Sequence, residues 1–217
     1  MGYVSSMAWS SNTFYGQIGR GVGGEALIKW AREFGFGEKT GIELQGETKG
    51  LIADDAWKRL NFNNWGWTVG DTVNMSIGQG FTSATPLQVA VMFSAIANNG
   101  HRVQPHLLQT DSDSKQAQRV SLNLQPRTID TIKKGLRAVV DGGTGTRLNS
   151  PKTPPGAGKS GTAEAPPGDS HTWFGAYAPF DKPEIVIVAF AEHSGGGGGS
   201  VAAPLVRQVM EAYFNSP

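Results

Sequence analysis

The sequence contains no cysteine, and this absence excludes disulfide bonds, thiol nucleophiles and cysteine-based zinc sites. Charge is also sparse: 17% of the 217 residues are charged and the net charge is +1, so the composition gives no reason to expect a nucleic acid as partner. No apolar run approaches the roughly 18 residues that a membrane span needs. The length allows one domain or two small lobes with a core.

The stretch Lys159-Ser160-Gly161-Thr162 places one cation and two hydroxyls within four residues. On an edge strand, Lys159 and Gly161 would face one side, and Ser160 and Thr162 the other. Gly161 would let the backbone of a ligand lie close to the strand. This arrangement suits binding of a peptide carboxylate and stabilisation of an oxyanion. The four residues alone also fit a glycine-rich turn with an exposed lysine, because short motifs have many false positives.

A second polar motif, Ser10-Ser11-Asn12, opens a predicted helix. Either Ser11 or Asn12 could be the N-cap of that helix, so the motif alone has an ordinary structural explanation.

Other polar segments are weaker candidates. His101 and His106 have no carboxylate or cysteine arranged around them, so they are interpreted as surface or hydrogen-bonding side chains. The glycine-rich loop from Gly142 to Thr146 lacks the lysine and hydroxyl residue of a nucleotide loop, and no strand precedes it. We therefore predict no metal and no cofactor.

Hydrophobic periodicity changes near residue 150. Residues 1–150 are predicted to form a mostly helical lobe that carries Ser10 and Asn12. Residues 151–217 are predicted to form antiparallel strands, which carry Lys159 to Thr162, and a C-terminal helix. Together the two regions would be part of one domain. The predicted helices are Gly24–Phe34, Pro86 to about Asn98 with Thr85 and Gln88 as a capping box, and Pro126–Val140; the later strands are His171–Ala178 and Glu184–Glu192. Gly195 to Gly199 fits either an engineered linker or a long natural turn.

The ordered motifs resemble those of class B penicillin-binding proteins over nearly the whole chain. Ser10-x-Asn12 and Lys159-Ser160-Gly161-Thr162 are two of the three parts of the family's site. Gly70-Asp71-Thr72, ahead of Ile77-Gly78-Gln79-Gly80, is most similar to the penicillin-binding protein 2 branch, which serves cell elongation. The other supporting segments are Phe34-Gly35-Phe36-Gly37, Thr40-Gly41-Ile42-Glu43-Leu44, Thr85-Pro86-Leu87-Gln88 and Trp173-Phe174-Gly175-Ala176-Tyr177-Ala178-Pro179.

This resemblance implies an α/β (α+β) transpeptidase fold shared with serine β-lactamases, an antiparallel sheet flanked by helices. It also implies acyl transfer through a serine. Ser10 would relay a proton, Asn12 would bind the substrate amide, and Lys159 would stabilise charge and polarise Ser10. Thr162 would bind the substrate carboxylate, and its N–H would supply half of the oxyanion hole. Ser160 would add a second hydroxyl, although strand alternation favours a side chain that packs or caps. Gly161 would keep the strand open.

The family's third motif, Ser-x-x-Lys, is missing before Ser10. Its one formal match, Ser112-Asp113-Ser114-Lys115, lies in a polar stretch with nothing to desolvate the lysine. We therefore expect no nucleophile in this chain and little activity from it alone. The family's N-terminal strands and nucleophile helix would precede residue 1, leaving a sheet edge and an apolar face uncovered.

The resemblance also implies partners. They are a peptidoglycan stem peptide ending in D-Ala-D-Ala, β-lactam antibiotics, an elongation-complex glycosyltransferase and, through an N-terminal anchor, the outer face of the cytoplasmic membrane. Two alternatives stay open. One is a non-catalytic module that binds peptidoglycan peptide or a partner, and the other is a relative of β-lactam sensors or β-lactamases.

Overall fold

The structure, a computed structural model, describes residues 1–108 and 119–216, so the Ser112–Lys115 match lies outside the described residues. Its elements alternate helices with short strands before a longer sheet. The helices are α1 Tyr3–Ala8, α2 Asn12–Val22, α3 Gly24–Glu33, α4 Asp55–Asn61, α5 Val69–Ser76, α6 Pro86–Ala97, α7 Pro126–Gly142 and α8 Ala202–Asn215, with a 3₁₀ turn at Thr146–Leu148. The strands are β1 Leu51–Ile52, β2 Thr82–Ser83, β3 His101–Val103, β4 Arg119–Ser121, β5 Ala157–Ala163, β6 His171–Ala178 and β7 Ile185–Ala191.

The main sheet of the described chain is antiparallel and three-stranded, in the order β5-β6-β7. Gly161 on β5 lies opposite Trp173 on β6, and Trp173 lies opposite Phe190 on β7. Strand β5 therefore lies at one edge of this sheet. Its free edge can meet an extended peptide.

Each face of this sheet packs against a different group of helices. Because side chains alternate along a strand, Phe174 and Ala176 on β6 join a core with α8, whereas Tyr177 joins a core with Met7 and Phe93. Phe93 lies directly on the backbone at Gly175, where any Cβ would overlap its ring. This contact brings α6 close to the centre of the sheet.

Local capping explains where the site-bearing helices begin. The Thr85 side chain accepts a hydrogen bond from the Gln88 N–H, and the Gln88 side chain accepts one from the Thr85 N–H, which confirms the predicted capping box. Of the two candidate caps for α2, the structure selects Ser11, whose hydroxyl accepts from the Phe14 N–H at 3.4 Å. The fold is that of an antiparallel sheet flanked by helices, as predicted. Within the described ranges, no helix is both long and apolar enough to cross a bilayer.

Candidate active site

Ser10 lies in the tight turn between α1 and α2. Its φ of 52° is in the left-handed region, which non-glycine residues seldom occupy. Backbone hydrogen bonds from the N–H of Ser10 to Met7 O (3.2 Å) and from that of Ser11 to Ser6 O (3.0 Å) hold the turn. Backbone strain of this kind concentrates at functional sites, and here it turns the Ser10 hydroxyl toward β5.

Lys159 meets Ser10 across 149 residues of sequence. Its ammonium group donates hydrogen bonds to the Ser10 hydroxyl and to the Ser160 carbonyl oxygen, the latter at 2.9 Å. Burial lowers the pKa of Lys159 from 10.5 to about 8. Among the described residues, no carboxylate lies within ion-pair distance of this lysine. The lysine therefore holds a desolvated positive charge that an anionic ligand can neutralise.

Thr144 links the hydroxyl groups on either side of Lys159. Its Oγ1 lies 2.7 Å from Ser160 Oγ and 3.4 Å from Ser10 Oγ. The sequence does not predict this residue, because the glycines from Gly142 to Thr146 suggest only a phosphate loop as a function. The sequence feature that could have indicated it is a threonine placed between two glycines, Gly143 and Gly145.

Thr162, at the other end of the motif, is held by two segments distant in sequence. Its hydroxyl accepts from the Gly198 N–H at 3.3 Å, and its carbonyl oxygen accepts from the Gln79 side-chain amide at 3.3 Å. Gly198 is buried so closely against Gly161 and Trp173 that any Cβ would overlap their carbonyl oxygens. The glycine run thus forms one wall of the site, which fits a natural turn better than a linker. Neither Gln79 nor Gly198 was predicted as a site residue.

Apart from Gln79, these residues line one cleft of about 990 Å³. All of the predicted site residues border it, including Asn12 and Gly161. Asn12 is exposed, and in the described hydrogen bonds its amide contacts neither Ser10 nor Lys159. A second part of the lining is an apolar wall, formed by Met7, Val89, Met92, Phe93, Ile96, Ile132 and Leu136. The cleft thus combines a polar strand edge with an apolar wall.

One group outside the cleft has the composition of a metal site. Ligand atoms of His171, Glu192 and His193 lie within 4.8 Å of one another. However, His171 Nδ1 accepts a hydrogen bond from the His193 backbone N–H at 2.9 Å, so the proton of the neutral ring sits on Nε2. A protonated Nε2 cannot bind a metal, so binding there would cost this hydrogen bond. His101 and His106 are not part of this group.

Comparison with known proteins agrees with this geometry. The penicillin binding protein transpeptidase domain profile matches residues 1–211. A peptidoglycan D,D-transpeptidase MrdA from Haemophilus influenzae is 36% identical over 230 residues, covering 95% of this chain and 35% of the relative. The MrdA of Acinetobacter baumannii is 33% identical, covering 94% and 33% respectively. The chain thus spans about a third of the length of these curated relatives.

Solved structures match along the whole chain. Pseudomonas aeruginosa PBP2 in complex with WCK 5153 superposes with a TM-score of 0.89 at 32% identity, covering 100% of this chain and 48% of that one. Helicobacter pylori PBP2, in its complex with MreC, gives a TM-score of 0.84 at 31% identity, covering 97% and 39%. A peptidoglycan synthase complex gives 0.84 at 36% identity, covering 100% and 38%.

The fold, the lysine–serine cleft and the family profile agree, and the chain belongs to the penicillin-binding protein transpeptidase family. The match is to the transpeptidase domain. Within the family, the chain is of the class B, PBP2/MrdA type, homologous to peptidoglycan D,D-transpeptidases.

Proposed function

We propose that this chain forms the substrate-binding and proton-transfer part of a serine-type D,D-transpeptidase that cross-links peptidoglycan and binds penicillin. The observation that carries the proposal is the Lys159 ammonium group, desolvated, donating to Ser10 and without a carboxylate partner in the described chain. An acyl-transfer site needs such a charge where negative charge develops. Residues 1–150 and 151–217 contribute the Ser10 side and the Lys159 side of the one cleft.

A stem peptide ending in D-Ala-D-Ala would lie along the free edge of β5. Because Gly198 donates to the Thr162 hydroxyl, that hydroxyl keeps its own hydrogen for the substrate carboxylate, and Lys159 supplies a positive charge to the same cleft. The Thr162 carbonyl points away from β6 toward Gln79, and the N–H of the same residue shares that direction in an antiparallel strand. It can therefore serve as one donor to an oxyanion. Asn12, at the rim, is left for the substrate amide.

The nucleophilic serine and its lysine would come from a segment outside these 217 residues. The apolar wall of the cleft, around Phe93, Ile96 and Leu136, has the character of a helix-binding surface in the same cleft as Lys159. A helix seated there would place a serine close to Ser10. This arrangement would leave the chain unable to form an acyl-enzyme by itself.

The cellular setting is proposed by analogy with the solved relatives. One of them is a PBP2 bound to MreC, and another belongs to a complex that coordinates polymerisation and crosslinking of peptidoglycan. We propose an equivalent setting, with a glycosyltransferase partner, on the outer face of the cytoplasmic membrane and with a membrane anchor outside these residues.

Labelling with a fluorescent penicillin, read by intact-mass spectrometry, tests the proposal. The full-length protein should form a one-to-one adduct, and the same protein carrying Lys159→Ala should react at least about 100-fold more slowly, because one stabilising donor to the oxyanion region is typically worth that much. The chain of residues 1–217 should form no adduct. A stoichiometric adduct on it would place the nucleophile among its own serines, with Ser112 the first to test. An unlabelled full-length protein would favour a non-catalytic binding module, and rapid turnover of the adduct a β-lactamase.

A further inference from the structure

The loop that carries Thr144 is shaped to bring this one side chain into the site. The Thr144 N–H donates to Ala8 O at 3.0 Å, two residues before Ser10. Gly143 packs so tightly on the same carbonyl that a Cβ would overlap it, and Gly199 packs likewise on the carbonyl of Thr144. Thr144 is thus clamped between the Ser10 turn and the glycine run. The glycines of this loop serve close backbone approach rather than phosphate binding.

The hydroxyl hydrogens around Lys159 can be counted. Ser10 accepts from the Lys159 ammonium group, and Ser160 Oγ lies 3.4 Å from the same Nζ. Each hydroxyl owns one hydrogen, and Thr144 lies between the two serines. If Ser160 donates to Thr144 and Thr144 donates to Ser10, Ser10 accepts twice and its own hydrogen is free for the cleft. A ligand atom with a lone pair beside Ser10 selects this arrangement.

We propose that Thr144 is a positioning residue, which turns the Ser10 proton toward the leaving nitrogen and stabilises the Ser10 oxygen as that proton departs. The inference rests on the proposed transpeptidase function. When the tetrahedral adduct collapses, the oxyanion re-forms the carbonyl double bond and the carbon–nitrogen bond breaks. The nitrogen keeps the electron pair of that bond and takes the Ser10 proton. The Lys159 ammonium group then reprotonates Ser10 and recovers a proton from water. While the Ser10 oxygen lacks its proton and carries negative charge, it accepts hydrogen bonds from two donors, Lys159 and Thr144.

A role in leaving-group protonation differs measurably from a role in structure. An amine leaves only when its nitrogen is protonated, whereas the thiolate of a thioester leaves without a proton. Loss of the Thr144 hydroxyl should therefore slow acylation by a β-lactam far more than acylation by a D-alanyl thioester. A change that merely distorted the site would slow both.

The experiment measures acylation of the full-length protein by a fluorescent penicillin and by a D-alanyl thioester. Thr144→Val, which removes only the hydroxyl, should lower the penicillin rate about 10- to 100-fold, the range for a hydrogen bond to a charged group, and the thioester rate less than about 3-fold. Thr144→Ser should restore both rates to within about 3-fold of wild type. Thr131→Val, which removes a hydroxyl from a partly exposed position on α7 outside the cleft, is the control. Thr144→Ala replaces Thr144→Val if the latter does not fold.

The possible outcomes distinguish failure of the proposed function from failure of the inference about Thr144. A wild-type protein that penicillin does not acylate would sink the proposed function and this inference with it. If wild type reacts, an unchanged penicillin rate in Thr144→Val overturns the inference alone. The inference is also overturned if Thr144→Val slows acylation by penicillin and by the thioester equally. It is overturned as well if Thr144→Ser folds but does not restore the acylation rates.

Discussion

Lys58 and Lys159 both lie in protected positions, but their surroundings differ. The Lys58 side chain is 8% exposed and forms an ion pair with Asp71, which joins α4 to α5. Lys159 instead faces the hydroxyls of Ser10 and Ser160 and a backbone carbonyl. A neutralised charge supports structure, whereas a charge without a counter-ion is available to a ligand.

The pKa values of Asp71 and Lys159 follow this difference. Burial by itself would raise the pKa of Asp71, but hydrogen bonds from Lys58 and Thr68 bring it below its usual value. Burial lowers the pKa of Lys159 to about 8, because no anion of the described chain offsets the loss of hydration. The same residue type is thus stabilising in one cluster and costly to keep charged in the other.

The largest effect we expect is at Lys159. Lys159→Met should slow penicillin labelling of the full-length protein by about 100- to 1,000-fold, as expected for loss of a donor to the developing charge. The same change should raise the free energy of unfolding by about 1 to 3 kcal/mol, because an uncompensated buried charge is replaced by an apolar side chain. Labelling kinetics check the expected loss of rate, and denaturant unfolding checks the expected gain in stability. If Lys159→Met were both inactive and less stable than wild type, the contrast drawn between Lys159 and Lys58 would be wrong.

Lys58→Met should act in the opposite direction on stability. It leaves the Asp71 carboxylate buried without its partner, which typically costs about 3 to 5 kcal/mol. Adding Asp71→Asn should recover part of that loss, because the remaining charge is removed. Urea denaturation of both variants checks this prediction. Equal stability of Lys58→Met and wild type would show that the pair is not a structural clamp.

The pH dependence should separate activity from stability at Lys159. Since the folded pKa is about 8 and the ordinary value is 10.5, the unfolded state binds more protons between these values. The contribution of this group to stability should therefore rise as pH increases from about 8 to about 10.5. Labelling should instead fall as pH rises through about 8, because the ammonium charge is lost.

Stability and labelling profiles of wild type against Lys159→Met isolate this group. A labelling rate that keeps rising to pH 10 would show that the charged form of Lys159 is not required.

The smallest effects on stability are expected at two neighbouring serines. Ser11→Ala should cost about 1 kcal/mol of stability, because it removes the N-cap of α2, and should leave labelling intact. Ser10→Ala should slow labelling without a comparable loss of stability, because Ser10 caps no helix. Thermal unfolding and labelling of both variants check the pair. If Ser11→Ala slowed labelling and Ser10→Ala lowered stability, the capping role and the catalytic role would be assigned to the wrong serines.

Much of this fold could be predicted where the signal is local. Strand β6 was predicted with its observed ends because alternation and flanking turns define it, and the Thr85 cap followed from its sequence alone. The meeting of Ser10 with Lys159 followed from the resemblance, not from spacing. Structure was required for Thr144, Gln79 and Gly198, because each acts through a long-range approach of backbone segments that leaves little trace in sequence.

The glycine run between β7 and α8 also limits how this protein can evolve. At Gly198 and Gly199 every mutation to another residue places a side chain on a backbone carbonyl. At Gly197, on the same cleft, the nearest neighbour of an added Cβ is a serine hydroxyl 3.7 Å away. Inherited changes in which ligands the cleft accepts can therefore arise at Gly197, while the two glycines that follow it are closed to variation.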